Sequence, residues 1–351
     1  MAPLDQRHAR ASTRFVSDSG RLRVALDLDG SLESLGDSMT ELADALTTLG
    51  DCELVRFRTL RSPQRSDERR IAQRAFWTPL WRRSLGRSLD AMVAPVDVIH
   101  LAGLATPPSK DIPLVISVDD LRPLREETRT HQRIAQLRRA VARGAVLVAS
   151  SRVASHEVLQ VLGVPRHQVV VVPPAVPSVA PTRDGHDLVV NVTGQVDRFV
   201  TLAPRLVEFT QARGATVVAL TSARSAQRIR SSGLAVTLRA RQEARDALGR
   251  ARVVVHISDG ARFPSFAIAA LAAAVPTVAR ATAINRELLD GAAALAESDD
   301  EVMATLDEVW DSSPRRTIMI AAGRSRAIDF SPTTAARSYS ALYHDVVRGR
   351  Q

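Results

Sequence analysis

Ser258-Asp-Gly-Ala-Arg262-Phe-Pro-Ser-Phe-Ala267-Ile-Ala-Ala-Leu-Ala272-Ala-Ala-Val-Pro276-Thr-Val278 is the stretch whose reading decides the fold. An apolar run, Val253–Ile257, leads into it and a second, Thr277–Ala279, leads out. Between them a short polar loop passes into an alanine-rich apolar helix. Phe263, Ile268, Leu271, Val275 and Pro276 read as packing residues, so the unit is strand, loop, buried helix, strand. The same alternation extends in both directions. Candidate strands in the first half are Leu22–Leu28, Glu53–Phe57, Val96–Leu101, Leu114–Val118, Ala145–Ala149 and Val169–Val172. Those in the second half are Leu188–Val192, Thr216–Leu220 and Ala235–Leu238, besides the two already named. Helical patterns of about 10 to 20 residues separate them, as expected for parallel strands joined by crossover helices.

The chain has 351 residues, more than one core usually supports, which favours two domains. A proline-rich segment, Pro173-Pro174-Ala-Val-Pro177-Ser-Val-Ala-Pro181, is too stiff and donor-poor for a helix or central strand. It is the expected linker, 173–181, and an exposed hinge between two cores. The predicted order is a polar tail over 1–20, a first Rossmann-like domain over 21–172, the linker, a second Rossmann-like domain over 182–330 and a closing helix over 331–351. Both domains are expected to be α/β, with doubly wound parallel sheets.

Apolar residues make up 45% of the chain and charged residues 24%, an ordinary soluble composition. One cysteine, Cys52, excludes an intramolecular disulfide and a thiolate-only metal site. No run is long enough for a membrane span and no signal-peptide core is present, so a cytoplasmic location is expected. The net charge of +9 comes almost wholly from arginine, Lys110 being the only lysine. Between Arg56 and Leu89 ten arginines face only Asp67 and Glu68, with Phe76, Trp77 and Trp81 among them. Two readings fit this segment. One is an amphipathic helix packed on its own domain with solvated arginines; the other is an in-plane contact with an anionic membrane at the inner face of the plasma membrane. No helix-turn-helix, zinc or aromatic-platform motif accompanies the charge, and nucleic acid is not expected as a partner.

Several blocks, in order, resemble the retaining glycosyltransferases of family 4. They are Val24-Ala-Leu-Asp27 with Leu35-Gly36-Asp37-Ser38-Met39, Val96-Asp97-Val98-Ile99-His100, and Pro113 through Asp119-Asp120-Leu121. They continue with Ala149-Ser150-Ser151, Val164 through Pro174, Asn285-Arg-Glu287, and Phe330-Ser331 through Tyr339 and Tyr343. The resemblance covers nearly the whole chain from Arg21. It implies a GT-B fold, two facing Rossmann-like domains with a nucleotide sugar on the second and an acceptor on the first. Ligands of open α/β sheets do bind outside the carboxyl ends of the strands.

In the family, the stretch from Ser258 carries two glutamates that accept hydrogen bonds from sugar and ribose hydroxyls. Here they fall on Ala261 and Ala269, which can accept none, and Arg262 and Pro264 replace motif glycines. An Arg-Lys pair that the family sets against the leaving diphosphate falls on Phe199 and Val200. Arg198, after the turn at Gly194, is the nearest cation. The donor-side candidates are therefore Gly194, Arg198, Arg262, Phe263 and Ser265. On the acceptor side they are Gly36 and Asp37, with Asp119 standing where the family has a histidine, as the candidate catalytic group. Arg198 and Asp119 also read simply as a solvated loop arginine and a carboxylate capping backbone amides. His100, His156, His167 and His256 lack metal-ligand spacing; His100 and His256 are expected at strand ends, partly buried. No metal and no cofactor is expected, a nucleotide diphosphate sugar being the substrate the resemblance implies.

A rival reading takes Asp27-Leu28-Asp29-Gly30 as the first motif of a haloacid-dehalogenase-type phosphatase, with Asp119-Asp120 on Mg²⁺ and Lys110 on phosphate. Lys110 stands too close to Asp119 for an intervening crossover helix, and the second half of the chain would have no role. Two readings remain for the family-4-like chain: a degenerate, scaffolding partner of an active glycosyltransferase, or an atypical active hexosyltransferase. Loss of several kinds of polar group at once favours the first.

Overall fold

The computed structural model describes residues 20–29, 38–58, 65–71, 88–103, 109, 111–118, 130–177, 179–180, 185–192, 194–258, 262–311 and 313–349. The first lobe is a sheet of Leu22–Asp27 (β1), Cys52–Arg58 (β2), Arg69–Arg70 (β3), Val98–Leu101 (β4), Leu114–Val118 (β5), Val146–Ala149 (β6) and Val169–Val171 (β7). Its order is β3-β2-β1-β4-β5-β6-β7, every pair parallel. The second lobe contains Asp187–Asn191 (β8), Val217–Thr221 (β9), Thr237–Ala240 (β10), Ala251–His256 (β11), Thr277–Arg280 (β12) and Ala294–Ala296 (β13). Its order is β10-β9-β8-β11-β12-β13, again all parallel. Both are doubly wound sheets, and the strand order reverses at β1/β4 and at β8/β11.

Parallel strands covered on both faces read as unbroken apolar runs, and β5 and β9 are buried at every position. Ser38–Leu49 (α1), Asp90–Val93 (α2), Thr130–Ala142 (α3) and Arg152–Leu162 (α4) accompany the first sheet. Val196–Gln211 (α5), Ala223–Ser231 (α6), Ala244–Gly249 (α7), Ser265–Ala272 (α8), Ala283–Leu289 (α9), Asp299–Trp310 (α10) and Pro314–Ala327 (α11) accompany the second. Each sheet has an apolar cluster on either face. The sequence missed β3 and β13, whose two and three residues are too few to show a period. Strand β10 starts two residues later than expected, at Thr237.

Helix α8 is the alanine-rich stretch of the opening motif, and all of it but Ala272 is buried. A helix apolar on every side belongs inside a core. Helix α11 closes on it where Gly323 approaches Leu271: a Cβ there would stand 2.9 Å from Leu271 Cδ2. The chain leaves α8 through Ala274 at φ 60°, a left-handed position that costs a residue with a Cβ roughly 1 kcal/mol.

The closing helix, Pro332–Arg348 (α12), returns to the first lobe. Ser331 caps it by accepting the Thr334 N–H, and Pro332 occupies its first turn. Ala335, Ala336, Tyr339, Leu342, Tyr343 and Val346 pack with Val24, Leu26 and Val98. Here His100 departs from expectation: it is fully buried beneath α12 rather than partly buried at a strand end. Its Nδ1 lies 2.7 Å from the Tyr343 hydroxyl and its Nε2 2.9 Å from Ser117 Oγ.

The linker departs too. Val172, Ala175 and Val176 are buried, and the Val176 N–H donates to the Phe330 carbonyl at 2.9 Å. The two chain crossings between the lobes lie against each other, so this part of the linker is not an exposed hinge. The expected tail lies outside the described residues as far as residue 19.

Burial holds the His100 imidazole down to about 3 and the His256 imidazole to about 4. Both folded values lie below the unfolded value of about 6.5, so the stability they govern is fully present above about pH 6.5. It is lost as pH falls toward 4. Urea titrations should show the unfolding free energy dropping by about 1.4 kcal/mol per pH unit for each histidine in that window, and His100→Gln should remove one of the two increments. Separately, Ala274→Gly should raise stability by about 0.5–1 kcal/mol, measured by the denaturant midpoint, despite the greater freedom of glycine in the unfolded chain.

Candidate functional site

Among the described residues, two polar contacts join the helices that follow strand carboxyl ends in the two lobes. Glu287 of α9 accepts the backbone N–H of Arg152 at 2.7 Å and of Val153 at 2.8 Å, the first two amides of α4. Those amides have no partner within their own helix, and the positive end of the helix dipole favours a carboxylate there. Ser151, the α4 cap, takes the Ala154 N–H. Arg326 fixes α9 in turn through the Glu287 and Leu288 carbonyls. The second contact is Arg245, in the first turn of α7, with Glu41 in the first turn of α1, at 3.1 Å. The carboxyl ends of the sheets are thereby brought face to face, with the switch points β1/β4 and β8/β11 on the inner side.

The donor-side candidates lie at this end of the second sheet. Gly194 turns the chain from β8 into α5 at φ 76°, a conformation glycine adopts without strain. The Gln195 N–H closes the turn on the Val192 carbonyl at 3.0 Å. Arg198, in the first turn of α5, bonds Asp299 Oδ1 at 2.9 Å, and Arg280, which ends β12, lies 3.7 Å from the same oxygen. Two guanidinium groups therefore share one carboxylate, at the start of α10. Arg262 is half-buried ahead of α8. Phe263 is a core residue, edge to face with Phe330 at 5.7 Å. Ser265 opens α8 and is buried, its N–H bonded to the Phe263 carbonyl. Phe199, where the resemblance sets a cation, is fully buried in the core of the second lobe. Ala269, where the resemblance sets a second glutamate, is 0% exposed in the opposite core.

Gly36, Asp37, Asp119, Asp120 and Ala261 lie outside the described residues, as do Lys110, Phe76, Trp77 and Trp81. In the described part of the basic segment Arg65 and Arg69 are exposed, as expected, whereas Arg56 and Arg58 are not solvated. Arg58 is 1% exposed and forms a bidentate pair with the equally buried Glu68, at 2.8 and 3.3 Å, while its Nη1 reaches the Leu28 carbonyl. Arg56, also buried, pairs with Asp44 at 3.0 Å and Asp67 at 3.3 Å. Both acids of the segment are thus spent on its first two arginines, because β2 runs through the interior and carries them inward. Neither arginine is placed to meet a lipid surface. No described helix is long and apolar enough to cross a membrane.

Asp27 ends β1 and accepts the Asp29 N–H at 3.0 Å, a turn-stabilising role. No group of three or more histidine, cysteine, aspartate or glutamate side chains among the described residues could hold a metal. The second six-stranded sheet also gives the latter half of the chain an architecture for which the phosphatase reading has no use.

The sequence left four groups at this end without a role. They are Arg280, Asp299, Glu287 and His256, which is 6% exposed. His256 was visible as the one polar residue closing an apolar strand. The partnership of Arg280 with Asp299 spans a helix and a strand and has no local signal.

Comparison with known proteins agrees with this geometry. The profile of the family described as Glycosyltransferase Family 4 matches residues 35–178, in the first lobe and linker. Solved glycosyltransferases superpose over both lobes. The fold is GT-B. The sucrose-phosphate synthase of Thermosynechococcus elongatus matches with a TM-score of 0.66 at 14% identity, over 94% of this chain and 100% of its own. WaaG, a glycosyltransferase involved in lipopolysaccharide biosynthesis, gives 0.65 at 12% identity, over 92% and 99%. HepE of Anabaena, solved with UDP-glucose, gives 0.62 at 14% identity, over 93% and 100%. No curated protein sequence matches the chain.

The link at α4 should be measurable. Glu287→Ala removes two charge-assisted hydrogen bonds, so exchange of the Arg152 and Val153 amide protons should accelerate about 10- to 100-fold. Protection in the core strand β5 should be unchanged. Hydrogen exchange read by NMR checks both.

Proposed function

We propose that this chain is a glycosyltransferase-shaped protein that no longer transfers a hexose from a nucleotide sugar, and that it serves as the partner or scaffold of an active glycosyltransferase. The observation that carries this is Ala269. The resemblance sets a hydroxyl-binding carboxylate there, and the position lies without exposure in an apolar core beside Ile268 and Ala270. The diphosphate side supports the same reading, since the nearest cation, Arg198, already pairs with Asp299. Charge-assisted hydrogen bonds contribute roughly 1.5–3 kcal/mol each, so losing two weakens donor binding about a hundredfold or more. The alternative, an atypical active hexosyltransferase, requires other residues to supply those contacts.

HepE was solved with UDP-glucose, which makes that compound the first donor to test. Calorimetric titration of the full chain with UDP-glucose and with guanosine diphosphate sugars should give a Kd in the millimolar range or weaker, with no release of nucleotide over hours. Micromolar binding, about 4 kcal/mol tighter, would overturn the reading. The partner role predicts that the chain co-purifies with an intact glycosyltransferase when the two are expressed together and raises its turnover.

A further inference from the structure

At the amino ends of β8, β9 and β10, the far end of the second sheet from the crevice, lies a cavity of about 350 Å³. Pockets that take small molecules start at about this size. Asp187 opens β8, Thr216 precedes β9 and Thr237 opens the edge strand β10, and all three line it. Thr237 is paired with Val218, which packs against Ala244, Ala247 and Leu248 of α7. Thr237 and Arg239, two residues apart, therefore share the face that α7 covers. The other wall is one flank of α7 with its caps: Glu243, Asp246 and Arg250 stand three and four residues apart. Strands covered by a helix are ordinarily apolar there, so hydroxyls and charges on this face depart from the pattern of β8, β9 and β11.

The charges do not cancel. Arg239 Nη1 donates to Glu243 Oε1 at 3.0 Å, and the other oxygen of Glu243 accepts the Ala240 N–H at 2.7 Å. Arg250 Nε lies 3.3 Å from Asp187 Oδ2; the aspartate side chain is 14% exposed and its arginine 73%. Asp246 has no hydrogen bond or ion pair among the described residues, and neither threonine hydroxyl has a side-chain hydrogen bond. Three carboxylates thus face two guanidinium groups, an excess of one negative charge in a chain of net charge +9. These acids do not converge on one point, since no cluster of three among the described residues could hold a metal. Carboxylates spread around a cavity suit a cation that carries several N–H donors at spacings of its own, as a guanidinium or a chain of ammonium groups does.

We propose that this cavity binds a small organic cation, an alkylguanidinium or alkylammonium group, held by Asp246 and Asp187 with the Thr216 and Thr237 hydroxyls as further acceptors. The site lies outside the crevice and does not depend on whether the chain transfers a sugar.

The test is an NMR titration of the full chain with propylguanidinium, agmatine and a blocked tripeptide with a central arginine. Propylurea, the uncharged match of the first, is the control. The cations should shift the Thr216, Thr237 and Asp246 amide signals, and propylurea should bind about tenfold more weakly or not at all. Asp246→Asn should weaken cation binding about tenfold at an unchanged melting temperature, because the side chain is exposed and has no partner to lose. Asp187→Asn, on another element, should do the same to binding and guards against a helix-specific effect. Tighter binding of agmatine than of the tripeptide would support a free amine as the ligand; the reverse order would support a basic segment of another protein, entering beside the edge strand. Absence of shifts with every cation, propylurea binding as well as propylguanidinium, or both asparagine variants binding as wild type does would overturn the proposal.

Discussion

The carboxylate of Glu287 on the first turn of α4 is the contact on which the relation between the lobes depends. Each lobe has cores on both faces of its sheet, and the apolar contact between them that the clusters show is Val153 of α4 against the core of the second lobe. What a two-lobed molecule lacks is a reason to hold one angle between the lobes, since interfaces between domains are small and polar and permit motion by default. A carboxylate facing two orphan amides supplies direction as well as attraction, because both oxygens are used and the acceptor geometry is narrow. The contact sits where β6 ends in one lobe and on the helix that follows β12 in the other. It thus sets the spacing of the two carboxyl-end surfaces without occupying either switch point.

Much of the fold was legible because parallel strands covered on both faces leave a continuous apolar signature. Eleven of the thirteen described strands show in the sequence, and the two omitted, β3 and β13, are edge strands of two and three residues. The linker was legible as a break in pattern but not in its environment. Proline content announces that Pro173 to Pro177 is neither helix nor central strand, yet Val176 finds its partner in Phe330, a contact between distant residues that no local pattern encodes. The same limit applies to charge. Arg56 and Arg58 belong by composition to a basic surface segment, while their place on a strand turns them inward onto Asp44, Asp67 and Glu68. At the site, Ala261 and Ala269 could be read directly, as alanines at the positions where the resemblance sets glutamates. The ring nitrogens of His256 and the Oδ1 of Asn285, without partners among the described residues, could not, because an unsatisfied valence is a property of the packed surroundings.

The buried pair Arg58 and Glu68 constrains the open end of β1 more than it stabilises the chain. Desolvating both charges offsets most of their attraction, while removing one partner would leave a buried charge uncompensated. The guanidinium also holds the Leu28 carbonyl, just beyond the strand, so it fixes the path by which the chain leaves the switch point of the first sheet. Polar groups at this end of the first lobe therefore serve geometry, as Asp299 does in the second by holding two arginines.

Helix α12 has a consequence for how the chain is made. It packs on β1 and β4, yet it is synthesised only after the whole second lobe. At roughly 5–20 residues per second, the interval between completion of β7 and arrival of α12 is on the order of 10 s or more. During that time the second lobe can finish its own cores, while Val24, Leu26 and Val98 wait with one face uncovered. Of the two lobes, the one begun first is completed second, and until α12 arrives the nascent chain carries apolar surface that α1 covers only in part.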